Sequence, residues 1–473
     1  MPSLSSISTS LQAVLTQSQV MEIIQHNVAN ASTPGYRRQS AILTAAVPTT
    51  LGGSEFINRA GQRGGSVTIA RVERFNLAFF DGRFRTISAE AKNWESQSEI
   101  LNQLEATLAE TSEDGLLPKL DQFWKGWQSL SSDPTNNSLR SVLLDDASSL
   151  ATAFNRRAEQ INLLRNDQNL SVSSQVDEVN SLADQVAKLN AEISHVLSVG
   201  EQPNDLMDKR DMALDQLANL TGAVSTEQKN GEMVVSIGGH VLVVGHDAFK
   251  LHTQTNTTAP NVGMSDIYWG DGQQMIPTSG SLKGTLEARD KILVDQLTGL
   301  NSLASELTSQ VNTIHRSGFD LNDVAGKDFF TVTAGSEAGT IAVNTLLDAA
   351  GVVTSKNQFE PGNNMVALEM VALKNSKIAA SPFNGDVTLN EYYNTQITSL
   401  AVSTQRAIDN TYQHGLVAKA LSDQRESVAG VNLDEEAANM AKTQKAYQAA
   451  ARMLTTMDEL LDLVINRMGL TGR

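Results

Sequence analysis

Asn27-Val28-Ala29-Asn30-Ala31-Ser32-Thr33-Pro34-Gly35-Tyr36 stops one long helical pattern and starts an extended one, and the organisation of the whole chain can be read outward from it. Pro34 disfavours helix at Thr33 and fixes its own φ, while Gly35 supplies the positive φ of a type II turn. The helix therefore ends near Asn30, and Tyr36 to Leu43 reads as extended backbone. On local physics alone, Asn30, Thr33, Pro34, Gly35 and Tyr36 are a helix terminator.

Before the turn, Leu4, Ile7, Leu11, Val14, Ser18, Met21, Gln25 and Val28 recur at alternating steps of three and four, a heptad seam with polar interruptions. The other end of the chain mirrors it with Met440, Gln444, Tyr447, Ala451, Leu454, Asp458, Leu461, Ile465 and Met468. Apolar stripes at both extremities need a partner. We expect an assembly interface in which Leu11, Val14, Met21 and Val28 work with Tyr447, Leu454, Leu461 and Ile465.

Between these ends the pattern is mostly helical. Helix is expected from about 75 to 108, from 116 to 130, and from 137 to 199 after Asp133-Pro134. Val179, Leu182, Val186, Leu189, Ile193 and Val196 hold heptad spacing, which predicts lengthwise packing on another helix rather than on a sheet. Gly200 and Pro203 end that helix. Asn204 reads as the N-cap of the next one, with Asp205 and Asp208 favoured by the helix dipole and Asp205 paired with Lys209.

The period then changes. Met233 to Val244 is β-branched and broken by Gly238-Gly239, a hairpin signature, and Tyr268 to Ile276 supplies another strand. From Leu282 the helical face Leu286, Leu293, Leu297, Leu300, Leu303, Leu307, Val311 and Ile314 resumes; a mixed stretch runs to about Asn364, and helices return from Asn390. The expected fold is mainly α with a small β domain, in a discontinuous multi-domain chain. Its parts are a terminal coiled-coil helical domain (1–45 with 430–473), a long-helix bundle (46–223 with 284–429) and an inserted antiparallel β domain (224–283).

Composition narrows the function. The 473 residues allow about three domains by length. Acidic residues outnumber basic ones, 53 to 36, and no run of Lys or Arg could track a phosphate backbone, so no nucleic-acid partner is expected. With no cysteine there is no disulfide and no thiolate nucleophile or ligand. The first basic residue is Arg37, which argues against a cleaved signal peptide, and no stretch is apolar enough to insert in a membrane.

Chemistry-bearing constellations are weak. His240, His246 and His252 recur every sixth residue but lack an accompanying carboxylate motif, and they read as exposed strand histidines rather than a metal site. Asp320, Asn322, Gly326 and Asp328 depart from a calcium-loop spacing and read as a turn. Nothing matches a nucleophile elbow, a phosphate loop or a dinucleotide fingerprint. No enzyme, metal or cofactor is expected.

Taken together, Met21-Glu22-Ile23-Ile24-Gln25-His26-Asn27-Val28-Ala29-Asn30 with Thr33-Pro34-Gly35-Tyr36 resembles the amino-terminal signature of bacterial flagellar rod, hook and hook-associated proteins. Gly430 to Glu436 and Gln444 to Arg452 resemble the carboxy-terminal signature of the hook-associated members, as do Gly115 to Arg140, Asn204 to Asp211 and Gly318 to Phe330 inside the chain. Residues 224–280 match no pattern, and the chain is short of the outer domain some relatives carry. The resemblance implies a secreted structural subunit of the bacterial flagellum, at the junction of hook and filament. It implies export by the flagellar type III apparatus and homo-oligomerisation through the terminal helices. Implied neighbours are the hook protein and hook-associated protein 3, with a cytosolic export chaperone on the carboxy-terminal helix. An axial protein of the hook or distal rod, or an exported protein with an enzymatic insert, is the alternative.

Overall fold

A computed structural model describes residues 4–46, 65–108, 114–380, 382–383 and 387–463. The chain divides into two compact units. The first comprises Met1–Ser88, Val179–Lys250 and Gly415–Arg473, and the second Ala89–Glu178 and Leu251–His414. This differs from the expected three-part division: the boundary falls at Lys250/Leu251, inside the stretch assigned to a single inserted β domain.

The first unit opens with helix α1 (Leu4–Ala29), followed by a hairpin of β1 (Gln39–Ala45) and β2 (Val67–Arg74), with a register shift between Ile42 and Leu43. It also holds the start of α2 (Ala78–Leu108), the end of α4 (Asn137–Ser198), α5 (Asn204–Thr221), the end of α10 (Leu389–Ala429), and α11 (Leu433–Asp462). A four-stranded antiparallel sheet completes it, in the order β3 (Val224–Glu227), β4 (Met233–Ile237), β5 (His240–Val244), β6 (Asp247–Ala248). Gly238 and Gly239, at φ 59° and 90°, make the two-residue turn between β4 and β5.

Val179, Leu182, Val186, Leu189 and Ile193 of α4 are buried, and Leu189 and Ile193 pack with Met207 of α5 near the connection between the two helices. The expectation that this face avoids a sheet fails at Asn190. Its amide donates to the carbonyls of Met233 and Gly245 and accepts from the Met233 N–H, so a polar residue in the stripe fastens the helix to the sheet. Such a bond satisfies strand-end groups that the ladder leaves open.

The second unit holds the rest of α2 and α4, with α3 (Leu116–Ser132) between them. A separate hairpin of β7 (Leu251–Thr255) and β8 (Ser265–Trp269) leads to α6 (Gly280–Glu287), one π-helical turn (Ala288–Ile292) and α7 (Leu293–His315). Short β9 (Phe330–Thr331), α8 (Glu337–Thr340), β10 (Ala342–Val343) and α9 (Met365–Leu373) precede α10. The helical seam Leu293, Leu300, Leu303, Leu307 and Val311 is buried as predicted, facing an aromatic cluster of Phe123, Trp124, Trp127, Phe329 and Phe330 in the same core.

Polar side chains set this unit's irregular middle. Asn312 accepts from the N–H groups of Phe329 and Phe330 and donates to the Phe330 carbonyl, a two-way clamp on β9. The expected Asp320 turn is present: its carboxylate accepts from the N–H groups of Asn322 and Val324. Buried Arg140 gives its guanidinium to the carbonyls of Pro134 and Val352 and to Thr354 Oγ1; burial lowers its pKa to about 10.

His315, fully buried, hydrogen-bonds the Lys327 carbonyl through Nδ1 and accepts from the Val353 N–H at Nε2, an arrangement only the neutral ring allows. Burial lowers its pKa to about 4 from an ordinary 6.5. As pH falls from 6.5 to 4, the unfolded chain takes up a proton that the folded unit refuses. The unit therefore loses about 3 kcal/mol across that window and no more below it. All four tryptophans, Trp94, Trp124, Trp127 and Trp269, lie in this unit, so urea melts followed by their fluorescence will register the loss. His315→Gln should flatten that part of the pH dependence; an unchanged slope would mean that His315 is not its source.

Candidate assembly site

α11 begins beside the end of α1, where Asn27 Nδ2 lies 3.2 Å from Glu436 Oε2, and runs back along it as an antiparallel partner. The β1–β2 hairpin covers α1 from another side. Thr16 Oγ1 donates to the Val67 carbonyl at 2.9 Å, and the Asn27 amide exchanges two bonds with the Gln39 backbone. With two neighbours, the most buried residues of α1 are Thr16, Ile24 and Asn27, and on α11 they are Glu436 and Thr443.

The predicted seam residues lie beside these. Val14, Met21, Tyr447, Leu454 and Leu461 are half-buried, whereas Leu11 and Val28 stay exposed at 46% and 44%, because polar positions facing the hairpin rotate the heptad stripe off the contact. Ile465 lies outside the described residues. Leu15, Met453 and Leu460 are also exposed, so apolar surface remains on the outside of the paired helices. The N-cap of α11 is Asn432, whose side chain accepts from the N–H groups of Asp434 and Glu435, and three acidic residues follow in the first turn.

The turn has the predicted geometry. The Tyr36 N–H donates to the Thr33 carbonyl at 3.2 Å, and Gly35 sits at φ 77°. Asn30 Nδ2 returns to the His26 carbonyl and Thr33 Oγ1 donates to Asn30 Oδ1. The Tyr36 hydroxyl donates to Asn27 Oδ1 at 2.8 Å and lies 3.0 Å from His26 Nδ1. Burial, with the charges of Asp205, Asp208 and Glu436, raises the pKa of that hydroxyl and keeps it a donor. Gly35 is needed twice over: a Cβ there would also lie 2.4 Å from Met212 of α5.

Beneath the turn lies a buried ion cluster. Arg37 grips both oxygens of Asp81 at 2.8 and 2.9 Å, while its N–H donates to Asp208. Arg74 bridges Asp208 and Asp211 at 2.8 and 2.7 Å, and Arg85 joins Asp211 to Asp215. Arg425 of α10 also reaches Asp215 at 2.8 Å, and Arg38 pairs with Glu435 and Glu436 of α11 at 2.7 Å each. Burial pushes the Asp211 carboxyl up, but the guanidiniums of Arg74, Arg37 and Arg85 outweigh it and hold its pKa below the usual range. At Asp208 burial wins and the pKa is raised.

This cluster corrects the sequence account of Asn204 to Asp211. Asn204 is the first helical residue after the N-cap Pro203, and its amide donates to Gln39 Oε1 and the Val72 carbonyl. Asp205 receives Gln39 Nε2 at 2.8 Å and lies 3.7 Å from His26. The motif docks the turn and hairpin onto α5. The signal that sequence reasoning missed is the spacing of Asp208, Asp211 and Asp215 on one face of a helix, opposite Arg37, Arg74 and Arg85.

The three histidines do not share a strand. His240 opens β5, His246 lies in the β5–β6 turn, and His252 is on β7, where its ring stacks on Tyr268 at 6.1 Å. Among the described residues no group of side chains could hold a metal ion, and no helix is long and apolar enough to cross a membrane.

Removing one member of a buried charge cluster leaves its partners uncompensated. Asp211→Ala should therefore destabilise the first unit by about 3 to 5 kcal/mol. Hydrogen exchange along α5 is the measurement; protection within 1 kcal/mol of the parent would show the cluster to be dispensable.

The family "Flagellar hook-associated protein FlgK helical domain" matches residues 101–330, a span that includes the stretch 224–280 where the sequence resemblance had a gap. "Flagellar basal body rod FlgEFG protein C-terminal" matches residues 424–468, which contain α11. Flagellar hook-associated protein 1 of Bacillus subtilis is 30% identical over 506 aligned positions, covering 99% of this chain and 99% of its own. Its counterpart from Escherichia coli is 23% identical, covering 93% and 95%. Among solved structures, the flagellar hook junction protein FlgK from Burkholderia pseudomallei superimposes with a TM-score of 0.66 at 16% identity, covering 74% of this chain and all of that one.

Proposed function

Because the chain belongs to the flagellar hook-associated protein 1 family, we propose that it is a structural subunit of the junction between flagellar hook and filament and polymerises through its terminal helix pair. The observation that carries the proposal is the apolar surface left outside α1 and α11, at Leu11, Leu15, Val28, Met453 and Leu460, after the two helices have paired. Exposed apolar surface of this kind on an otherwise satisfied element marks a contact made with other subunits. In this account Leu11, Val14, Met21 and Val28 work with Tyr447, Leu454, Leu461 and Ile465 in burial within and between subunits. The ion cluster sets the angle at which the chain leaves that pair.

Its neighbours are the hook protein on one side and a second junction protein, hook-associated protein 3, on the other. Export proceeds through the flagellar type III apparatus without a cleaved signal peptide, and a cytosolic chaperone covers the α11 face before assembly. The chain performs no catalysis. A hook or distal-rod identity shares the match over 424–468, but the match of the hook-associated helical domain over 101–330 favours the junction.

A strain lacking the gene should make hooks without filaments and shed filament protein into the medium, as seen by negative-stain microscopy and by blotting the supernatant. Filaments attached at the parental frequency would overturn the proposal. Leu454→Ala with Leu461→Ala should abolish filament attachment in the complemented strain. The urea midpoint of the tryptophan-bearing second unit should not change, because neither leucine belongs to it.

A further inference from the structure

Between the Pro34-Gly35 turn and α5 the first unit has a cleft of about 430 Å³. Pro34, Gly35, Tyr36 and Met212 give it apolar walls, and its lining carries two carboxylates, Asp208 and Asp205, the latter with its side chain 59% exposed, against one lysine, Lys209. The carboxy-terminal segment Val464-Ile465-Asn466-Arg467-Met468-Gly469-Leu470-Thr471-Gly472-Arg473 has complementary chemistry: four large apolar residues, two arginines and no acidic residue, in a chain of net charge -17.

We propose that this cleft receives residues 464–473 of a second copy of the chain, with the apolar side chains in the cleft and Arg467 against Asp205. This rests on the assembly account above and deepens it by naming one contact. The same molecule's segment cannot make it. α11 passes beside the cleft at Glu436, and from there to its end at Asp462 it carries the chain ~39 Å away at 1.5 Å per residue. Arg467 lies five residues beyond that end, and five residues span at most ~18 Å even when fully extended, too few to return to Asp205. The cleft and the end of α11 therefore sit at opposite ends of the antiparallel pair, and a contact between the cleft and residues that follow α11 joins copies head to tail. Such a contact is heterologous, so it repeats into a ring or an open helical array instead of closing a two-fold dimer.

The chain has no cysteine, which makes cross-linking clean. Asp205→Cys with Arg467→Cys, in the full-length protein expressed in the deletion strain, is oxidised in isolated flagella and run on a non-reducing gel. The expected result is a ladder of dimers, trimers and larger species, while either single variant stops at dimers. In parallel, Asp205→Lys or Arg467→Glu alone should lower the number of attached filaments at least tenfold, and the two together should restore it. The ladder or the reciprocal rescue supports the proposal. Their joint absence, an exclusively intramolecular cross-link, or a cross-link to a protein of different mass overturns it. A protein that never appears in flagella defeats the assembly account itself, whereas a protein present in flagella without ladder or rescue defeats this inference alone.

Discussion

The first unit depends on a cluster of buried opposite charges. Taking guanidinium and carboxylate groups out of water costs several kcal/mol each, and the cost is met only if every member keeps its partners. Arg37, Arg74 and Arg85 share Asp81, Asp208, Asp211 and Asp215 in such a way that none is isolated. The cluster therefore acts less as glue than as a specification. The turn, the hairpin and α5 are held in one register because other registers strand a charge.

This explains the chemistry at the exit of α1. Asn27 bonds the Gln39 backbone, the Tyr36 hydroxyl and Glu436, so the first helix, the hairpin and the last helix meet at one amide. Arg38 continues the same logic with its N–H on the Ala429 carbonyl and its guanidinium on Glu435 and Glu436. Residues 409 positions apart thus become neighbours through hydrogen bonds with little directional freedom. Hydrophobic stripes on two helices would tolerate sliding along each other.

Much of this was legible in the sequence because it follows local rules. Proline and glycine at 34 and 35 dictate the turn; heptad spacing foretells the long buried faces of α4 and α7; Gly238-Gly239 marks the hairpin. Long-range polar pairing was not legible. Nothing near Asp211 says that its partners are at 37, 74 and 85, and a local account in terms of dipole and capping was available for the same residues. The β region misled for a similar reason. Strand periodicity reports that strands exist, not which of them pair, and β7 pairs with β8 rather than with the sheet of β3 to β6. The seam of α1, half-buried at Val14 and Met21 and exposed at Leu11 and Val28, has the same origin: a heptad pattern assumes one neighbour, and α1 has two.

The nested division of the chain has a kinetic consequence. The second unit is complete once residue 414 is available, since it uses only 89–178 and 251–414. The first unit draws its last element from 415–473 and must close a loop spanning nearly the whole sequence before Asn27 can meet Glu436. Contacts of such sequence separation form late, because loop-closure entropy is spent before they return any energy. For a chain that emerges amino terminus first, the face of α1 that meets α11 stays uncovered by it until residues 433–462 have appeared.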